Sequence, residues 1–209
     1  MSGYRKGHST NSVLLRIRDD IIRAMKKGEV TLIAFADFSK AFDTVEYATV
    51  FKKLHNVGFS HDAIYWVLNY LTGRKQYVQI NEKQSQVVDV QFGVPQGSIL
   101  GPVLFNLYVN DLEPDLECSC YQYADDTTLY RHSVPSKIHE CAKKLQDAMT
   151  VLENWAVESN LALNETKTKQ MLITTSKMFR VHGLDTVVPD IRVKAQTLEK
   201  VEEFKLLGT

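Results

Sequence analysis

The spacing of apolar residues along the chain predicts five helices. Apolar positions recur every three or four residues over 10–27, 46–57, 61–72 and 136–159, which is typical of amphipathic helices packed on a core. Residues 99–112 are apolar on most sides, so this segment is predicted to be a more deeply buried helix.

Between these helices, apolar or alternating runs predict short strands. The first, Thr31–Ala36, is continuously apolar and ends at Asp37. The other predicted strands are 75–80, 86–92, 119–124, 127–131, 170–174, 179–182, 191–193 and 197–201. Helices mixed with strands that follow one another as hairpins favour an α+β fold with an antiparallel sheet packed on helices.

The composition indicates a globular protein and fits an intracellular setting. The chain has 209 residues, of which 44% are hydrophobic and 24% charged, values typical of a folded domain. No apolar run approaches the roughly 18–20 residues of a membrane helix, and the polar start gives no secretory signal. Three cysteines suggest no disulfide framework.

The charge balance argues against a protein that simply coats nucleic acid. The 25 basic and 25 acidic residues cancel, whereas such a protein would be basic. The distribution is uneven, with +4 over residues 1–36, −6 over 37–161 and +2 over 162–209. An acidic middle between basic ends fits a metal site with a polyanionic substrate, and chance could equally produce it.

Three carboxylates are candidates for metal binding. Asp37 ends an apolar strand, and Asp125 and Asp126 occupy a hairpin tip where Asn-Gly or Asp-Gly is usual. Adjacent like charges repel, so a bound cation would explain them, and Mg²⁺ prefers oxygen ligands. The alternative is that Asp37 is a turn residue and that Asp125 and Asp126 form a solvated turn.

Six further segments form an ordered set of motifs. In chain order they are Gly3–Thr10, Phe35–Asp43, Gly93–Pro102, Tyr123–Asp126, Leu163–Thr168 and Phe204–Gly208. Tyr123–Asp126 resembles the YADD box of the reverse transcriptases, and Phe35–Asp43 resembles their first aspartate motif. Gly93–Pro102 resembles their motif that contacts template and nucleotide, and Leu163–Thr168 and Phe204–Gly208 resemble their two later palm motifs. Gly3–Thr10 resembles a fingers segment of the non-LTR (LINE-like) retrotransposon branch.

This resemblance implies a catalytic centre with two Mg²⁺ ions, or Mn²⁺ in their place. Asp37 and Asp125 match the metal ligands, and Asp126 matches a neighbouring acidic residue that is structural or a weaker ligand. Lys167 matches a lysine thought to protonate the leaving pyrophosphate, although a lone surface lysine is usually only solvated.

The resemblance also implies contacts to substrates. Phe42 matches the bulky side chain that crowds the sugar 2′ position, and its alternative is a core aromatic residue. Asp43 is interpreted as an N-cap of the next helix, with Glu46 three residues on. The other implied contacts are Phe38, Gln96, Gly97 and Arg5 for the nucleotide and Leu206, Leu207 and Gly208 for the primer; a solvated Arg5 is equally compatible.

The expected protein is a single, partial reverse transcriptase domain with palm and part of the fingers but no thumb. Its fingers would span about 1–30 and 48–92, and its palm about 31–47 and 93–209. The expected partners are an RNA template, a DNA primer and a dNTP, with no membrane. Two other functions are open: a non-catalytic nucleic-acid-binding remnant, and another palm enzyme such as a nucleotidyl cyclase.

Overall fold

The computed structural model describes residues 9–112 and 117–206, apart from the side chain of Asp185, so that Arg5, Leu207 and Gly208 lie outside it. Within these ranges no helix has both the length and the apolar composition that crossing a bilayer requires. The helices are α1 (Thr10–Lys26), α2 (Tyr47–Asn56), α3 (His61–Leu71), α4 (Leu100–Val109), α5 (Ile138–Glu158), α6 (Ser176–Val181) and α7 (Leu184–Val187), with a 3₁₀ turn at Pro135–Lys137. The strands are β1 (Val30–Ala36), β2 (Lys75–Gln76), β3 (Gln79–Ile80), β4 (Lys83–Gln84), β5 (Val88–Asp89), β6 (Ser119–Tyr123), β7 (Asp126–Ser133), β8 (Lys169–Ile173), β9 (Arg192–Val193), β10 (Gln196–Thr197) and β11 (Glu199–Lys200).

One predicted strand is wrong. The segment 179–182 was expected to be extended, but most of it lies in helix α6. The helix is nucleated by Thr175, whose hydroxyl accepts a hydrogen bond from the Met178 amide at 3.2 Å. This N-cap satisfies an amide that has no partner inside the helix, and apolar side chains at 178, 179 and 181 fit a helical face as well as a strand.

The described residues divide into two compact units. The first, which we call the sheet unit, comprises the residues up to Ser39, Leu112–Glu158 and the residues from Ala162 onward. The second, the helical unit, comprises Lys40–Asp111 and Ser159–Leu161. Asp37 and the Asp125–Asp126 pair belong to the sheet unit, whereas Phe42, Gln96 and Gly97 belong to the helical unit.

The sheet unit is built on a five-stranded sheet of order β11-β8-β1-β7-β6. β1 lies at its centre and pairs antiparallel with both β7 and β8. β6 and β7 form an antiparallel hairpin, and the edge strand β11 runs parallel to β8. The predicted α+β architecture is therefore confirmed, with one parallel edge pair added to the antiparallel sheet.

Both faces of β1 are covered, because all seven of its residues are buried. On one face, Ile33 and Phe35 join Tyr130 in a cluster with Val13 and Ile17 of α1. Alternate residues of a strand point to opposite faces, and α5 also packs on β1 and β7. This central strand is thus held on both sides, which fixes the position of Asp37 at its end.

The helical unit is organised around α2, which packs against α3 and α4. A buried lysine on α2, Lys53, donates hydrogen bonds to the Tyr108 carbonyl at 2.6 Å, to Asp111 at 2.8 Å and to the Ser159 hydroxyl at 2.9 Å. A buried ammonium group needs such partners to offset the loss of hydration. The contacts therefore bind α2 to the C-terminal end of α4 and to the short segment that follows α5.

Candidate active site

A cavity of about 340 Å³ opens where β1 ends and β7 begins. Its wall includes two carboxylates, Asp37 and Asp126, and the loop that carries Lys167, and the rest of the wall is partly apolar. Its lining residues are Phe35, Ala36, Asp37, Asp126, Thr127, Thr128, Thr166, Lys167, Lys169, Phe204, Lys205 and Leu206. All of them belong to the sheet unit, so this site is formed within one compact part of the chain.

The pairing of β1 with β7 brings the carboxylates together. Ala36 is the last residue of β1 in register, and it lies opposite Thr127. One step further along this antiparallel ladder are Asp37 and Asp126, which therefore face the same side of the sheet. Asp125 is in the turn that precedes Asp126, after Ala124, which has a positive φ of 53° that a non-glycine residue rarely adopts.

The carboxylates also interact electrostatically. The pKa of Asp126 is raised from 3.8 to about 6, chiefly by burial and then by the negative charges of Asp125 and Asp37. Burial also raises the pKa of Asp37, an effect that Lys167 opposes and Asp125 reinforces. The three side chains therefore lie within range of one another's charge.

This crowding predicts that Asp126→Asn stabilises the metal-free fold. Because the pKa of Asp126 is raised in the folded state, ionisation of this carboxyl destabilises the fold. The free energy of unfolding is therefore highest below about pH 4, and it falls as the pH rises through about 6. After a discount for partial solvent exposure, the gain at pH 7.5 is about 1–2 kcal/mol. Urea unfolding in EDTA from pH 4 to 7.5 measures this gain. The free energy of unfolding should fall less steeply with pH in Asp126→Asn than in the unaltered chain. Equal pH dependence in the two proteins would contradict the crowding of the carboxylates.

The chemistry of this site fits a divalent cation. Asp37 Oδ2 is buried and has no hydrogen-bond partner among the described residues, and the Lys167 ammonium lies 3.8 Å from it. Residues 9–112 and 117–206 contain no ready-made group of three or more metal-ligating side chains. Mg²⁺, however, is commonly held by one or two carboxylates together with substrate phosphates, so the residues present are suited to a site completed by substrate.

The loop that carries Lys167 is held by two residues that the sequence analysis did not single out. The Asn164 side chain accepts hydrogen bonds from the Lys167 amide at 3.2 Å and the Thr166 hydroxyl at 2.8 Å. The Asn164 amide donates to the Asp37 carbonyl at 2.8 Å, and the Asp37 amide donates to the buried Thr168 hydroxyl at 3.4 Å. Their only sequence signal was membership of the Leu163–Thr168 motif.

The apolar wall of the cavity is formed by the end of the described chain. The Phe204 ring stacks on Phe35 with centroids 4.0 Å apart, and Leu206 packs on the cluster that contains Phe35. Phe38 is only 5% exposed, and its ring meets Trp155 edge-on at 6.1 Å. A contact of Phe38 with a nucleotide would therefore have to come from its main chain.

Apart from Arg5, which lies outside the described residues, the remaining predicted nucleotide contacts lie in the helical unit. Phe42 is half-buried and stacks on the buried Phe105 ring, with centroids 4.1 Å apart. Gln96 is exposed and donates a hydrogen bond to Asp43 at 2.8 Å, while Gly97 has a positive φ of 78°. The predicted capping role of Asp43 is wrong: Glu46 occupies the N-cap of α2, without a side-chain cap bond, because the helix begins one turn later.

The sequence matches the family described as "Reverse transcriptase (RNA-dependent DNA polymerase)" over residues 1–209. The chain belongs to the reverse transcriptase family. Relatives include the RNA-directed DNA polymerase from mobile element jockey of Drosophila funebris, 27% identical over 99% of this chain. The probable RNA-directed DNA polymerase from transposon X-element of Drosophila melanogaster is 32% identical over 84% of the chain. The predicted link to non-LTR retrotransposons is confirmed.

This reverse transcriptase chain spans about a fifth of the length of these relatives, 22% and 20% respectively. Its fold is similar to that of telomerase. The apo telomerase of Candida tropicalis, truncated from its C-terminal domain, superposes with a TM-score of 0.60 over 80% of this chain and 36% of its own, at 17% identity. The telomerase of Candida albicans with a fragment of telomeric RNA gives 0.55 over 92% and 33%, at 15% identity. At such identity the likeness shows the fold alone.

Proposed function

We propose that this chain is the nucleotidyl-transfer core of an RNA-directed DNA polymerase. In the proposed reaction a primer 3′-hydroxyl attacks the α-phosphate of a dNTP, a new phosphodiester bond forms, and pyrophosphate leaves. The observation that carries the proposal is the cavity that joins Asp37 and Asp126 to Lys167. Family membership supports the same chemistry.

The three carboxylates are assigned to the metal ions of this reaction. Asp37, Asp125 and Asp126 would hold Mg²⁺, or Mn²⁺ in its place, with the dNTP phosphates completing the coordination. Two bound divalent ions would lower the energy of the attacking and leaving oxygens. Register supports Asp126 as the direct neighbour of Asp37, whereas motif resemblance favours Asp125, so both are retained as ligands.

Lys167 is assigned to the leaving group. Its side chain is 69% exposed at the rim of the cavity, and its ammonium lies 3.8 Å from Asp37 Oδ2. These features suit a group that neutralises and protonates a departing pyrophosphate. The Asn164 side chain would keep this lysine in place by accepting a hydrogen bond from the Lys167 main-chain amide.

The remaining assignments concern substrate binding. Phe42, Gln96, Gly97, the main chain of Phe38, and Arg5 are proposed to contact the incoming nucleotide. Leu206, together with Leu207 and Gly208, is proposed to contact the primer, since Leu206 borders the cavity. We assign about 31–47 and 93–209 to the palm and about 1–30 and 48–92 to the fingers. An RNA template would supply base specificity by pairing.

The test is primer extension on a defined RNA template by the 209-residue chain. We expect addition of the complementary dNTP, dependence on Mg²⁺ or Mn²⁺, and abolition by EDTA. A DNA primer without template is the matched control and should not be extended. Binding of the template–primer is measured in parallel by fluorescence anisotropy.

Three outcomes separate the candidate functions. Complementary, metal-dependent extension supports the polymerase. Template–primer binding without any extension would instead favour a non-catalytic nucleic-acid-binding remnant. Formation of a cyclic nucleotide without template would favour a nucleotidyl cyclase, which could use a similar carboxylate pair.

A further inference from the structure

The loop that carries Gln96 and Gly97 is held by an arginine that the proposed reaction does not use. Arg74 follows α3 and is half-buried. Its Nη2 donates hydrogen bonds to the Gly93 carbonyl at 2.7 Å and to the Tyr47 hydroxyl at 2.8 Å. Its Nε donates to the Leu71 carbonyl at 3.1 Å. One guanidinium group thus joins the end of α3, the start of α2 and the start of the loop.

Tyr47 closes this arrangement. Its hydroxyl accepts the bond from Arg74 and donates one of its own to the Gly93 carbonyl at 3.2 Å. The Gly93 carbonyl therefore receives two hydrogen bonds, one of them from a charged donor, and charge-assisted bonds are stronger than neutral ones. We call Arg74, Tyr47 and the Gly93 carbonyl the loop clamp.

The clamp holds the loop against the turn that carries Phe42. The Gly93 amide donates to the Val45 carbonyl at 2.8 Å, and the Val94 amide donates to the Phe42 carbonyl at 2.9 Å. The approach is so close that a Cβ atom at residue 93 would lie 2.8 Å from the Asp43 carbonyl oxygen. The loop clamp thus acts where the main chain of the loop contacts the main chain of the Phe42 turn, two residues before Pro95.

We propose that Arg74 and Tyr47 are positioning residues that fix Gln96 and Gly97 relative to Phe42 and thereby set the apparent affinity for the incoming dNTP. This inference rests on the proposed function, because it assumes that these three residues contact the nucleotide. Neither Arg74 nor Tyr47 needs to touch the substrate. Loss of the clamp loosens the loop, and a displaced nucleotide contact weakens productive binding.

The rival role for Arg74 is a direct contact with a nucleic-acid phosphate. Its Nε and Nη2 nitrogens are already committed to three internal acceptors. A phosphate contact would release counterions and make template–primer binding more dependent on salt, by a slope of roughly one per contact. The two roles therefore differ in a measurable quantity.

The experiment compares Tyr47→Phe and Arg74→Lys with the unaltered chain. Tyr47→Phe removes the hydroxyl and keeps the ring, and Arg74→Lys keeps the charge and loses the forked donor geometry. Lys75→Ala is the matched control, since Lys75 is the adjacent exposed basic residue in β2. Arg74→Ala is the more severe variant.

The first measurement, hydrogen–deuterium exchange, needs no enzyme activity. We expect the Gly93 and Val94 amides to exchange about tenfold faster in Tyr47→Phe, Arg74→Lys and Arg74→Ala, because each variant removes hydrogen bonds of the clamp. Amides of the central strand β1 should be unchanged, as should all these amides in Lys75→Ala. Unchanged protection at Gly93 and Val94 in Arg74→Lys, Arg74→Ala and Tyr47→Phe would overturn the clamp.

The second measurement is single-nucleotide extension. We expect the KM for dNTP to rise about tenfold with a much smaller change in kcat, because the defect is in nucleotide positioning.

Template–primer affinity and its salt slope should match those of the unaltered chain. A slope lowered by about one for Arg74→Ala, which removes the charge, would overturn the positioning role in favour of phosphate contact. Faster exchange with an unchanged KM would also overturn it. If the unaltered chain does not extend primers, the proposed function fails, and exchange alone still decides whether the clamp holds the loop.

Discussion

Asp37→Asn is expected to reduce Mg²⁺-dependent primer extension by about two to four orders of magnitude while leaving the fold intact. Charge stabilisation by a bound metal is worth several kcal/mol, and each ~1.4 kcal/mol is tenfold in rate. Asp37 Oδ2 is buried without a hydrogen-bond partner among the described residues, and its ion pair with the mostly exposed Lys167 is of a kind that contributes little to stability. Asparagine keeps the shape of the side chain and removes only its charge.

The measurement is single-turnover extension, with Mn²⁺ binding followed separately by electron paramagnetic resonance. Asp147→Asn, an exposed carboxylate on α5 of the same unit, is the matched control and should retain activity and metal affinity. Parallel Asp125→Asn and Asp126→Asn variants would rank the two carboxylates: the stronger loss of Mn²⁺ binding identifies the principal ligand. Full activity of Asp37→Asn in a folded protein would contradict the metal assignment.

The sequence predicts the core of the sheet unit well because its signals are local. The apolar run Thr31–Ala36 has the length of a buried strand rather than of a helix, and β1 is buried throughout. The two aspartates at the hairpin tip stand where an ordinary tight turn has a glycine, which is why a cation-binding role is predicted for them. Ala124 in fact adopts the left-handed conformation that glycine would normally supply.

The errors arise where one pattern fits two structures. Apolar residues at 178, 179 and 181 satisfy both a strand and a helix, and the Thr175 cap decides for the helix. The predicted strands 75–80 and 86–92 form an interrupted hairpin, with separate ladders for β2 with β5 and β3 with β4. Exposed residues on both strands give such a hairpin little packing to hold it in a single register.

The positioning residues could not be predicted from local sequence. Asn164 and Thr168 acquire their importance by contacting Asp37, more than 120 residues earlier in the chain. Tyr47 and Arg74 meet only because α2, α3 and the loop at Gly93 come together. Nothing in the residues around Arg74 distinguishes it from a solvated basic side chain, whereas Asp37 is marked by the apolar strand before it.

Phe42→Ala is expected to raise the efficiency of ribonucleotide incorporation relative to deoxyribonucleotide by about 10- to 100-fold, the range over which pocket size discriminates between similar substrates. The 2′-hydroxyl is the group that separates the two substrates. A half-buried ring five residues after Asp37 could fill the space where this hydroxyl would lie. The assay is the ratio of kcat/KM for rNTP and dNTP on one template, with metal dependence measured alongside.

The competing interpretation makes Phe42 only a packing residue, because its ring stacks on the buried Phe105. Removing a buried Phe ring costs ~3–5 kcal/mol, and the cost at half-buried Phe42 is expected to be smaller.

Phe42→Leu retains part of the packing and should give an intermediate ratio. Phe105→Leu is the matched control, since it removes the stacking partner and leaves the Phe42 ring present. A packing role predicts that both positions reduce stability without changing sugar preference, so an unchanged ratio in folded Phe42→Ala would exclude the proposed role in sugar selection.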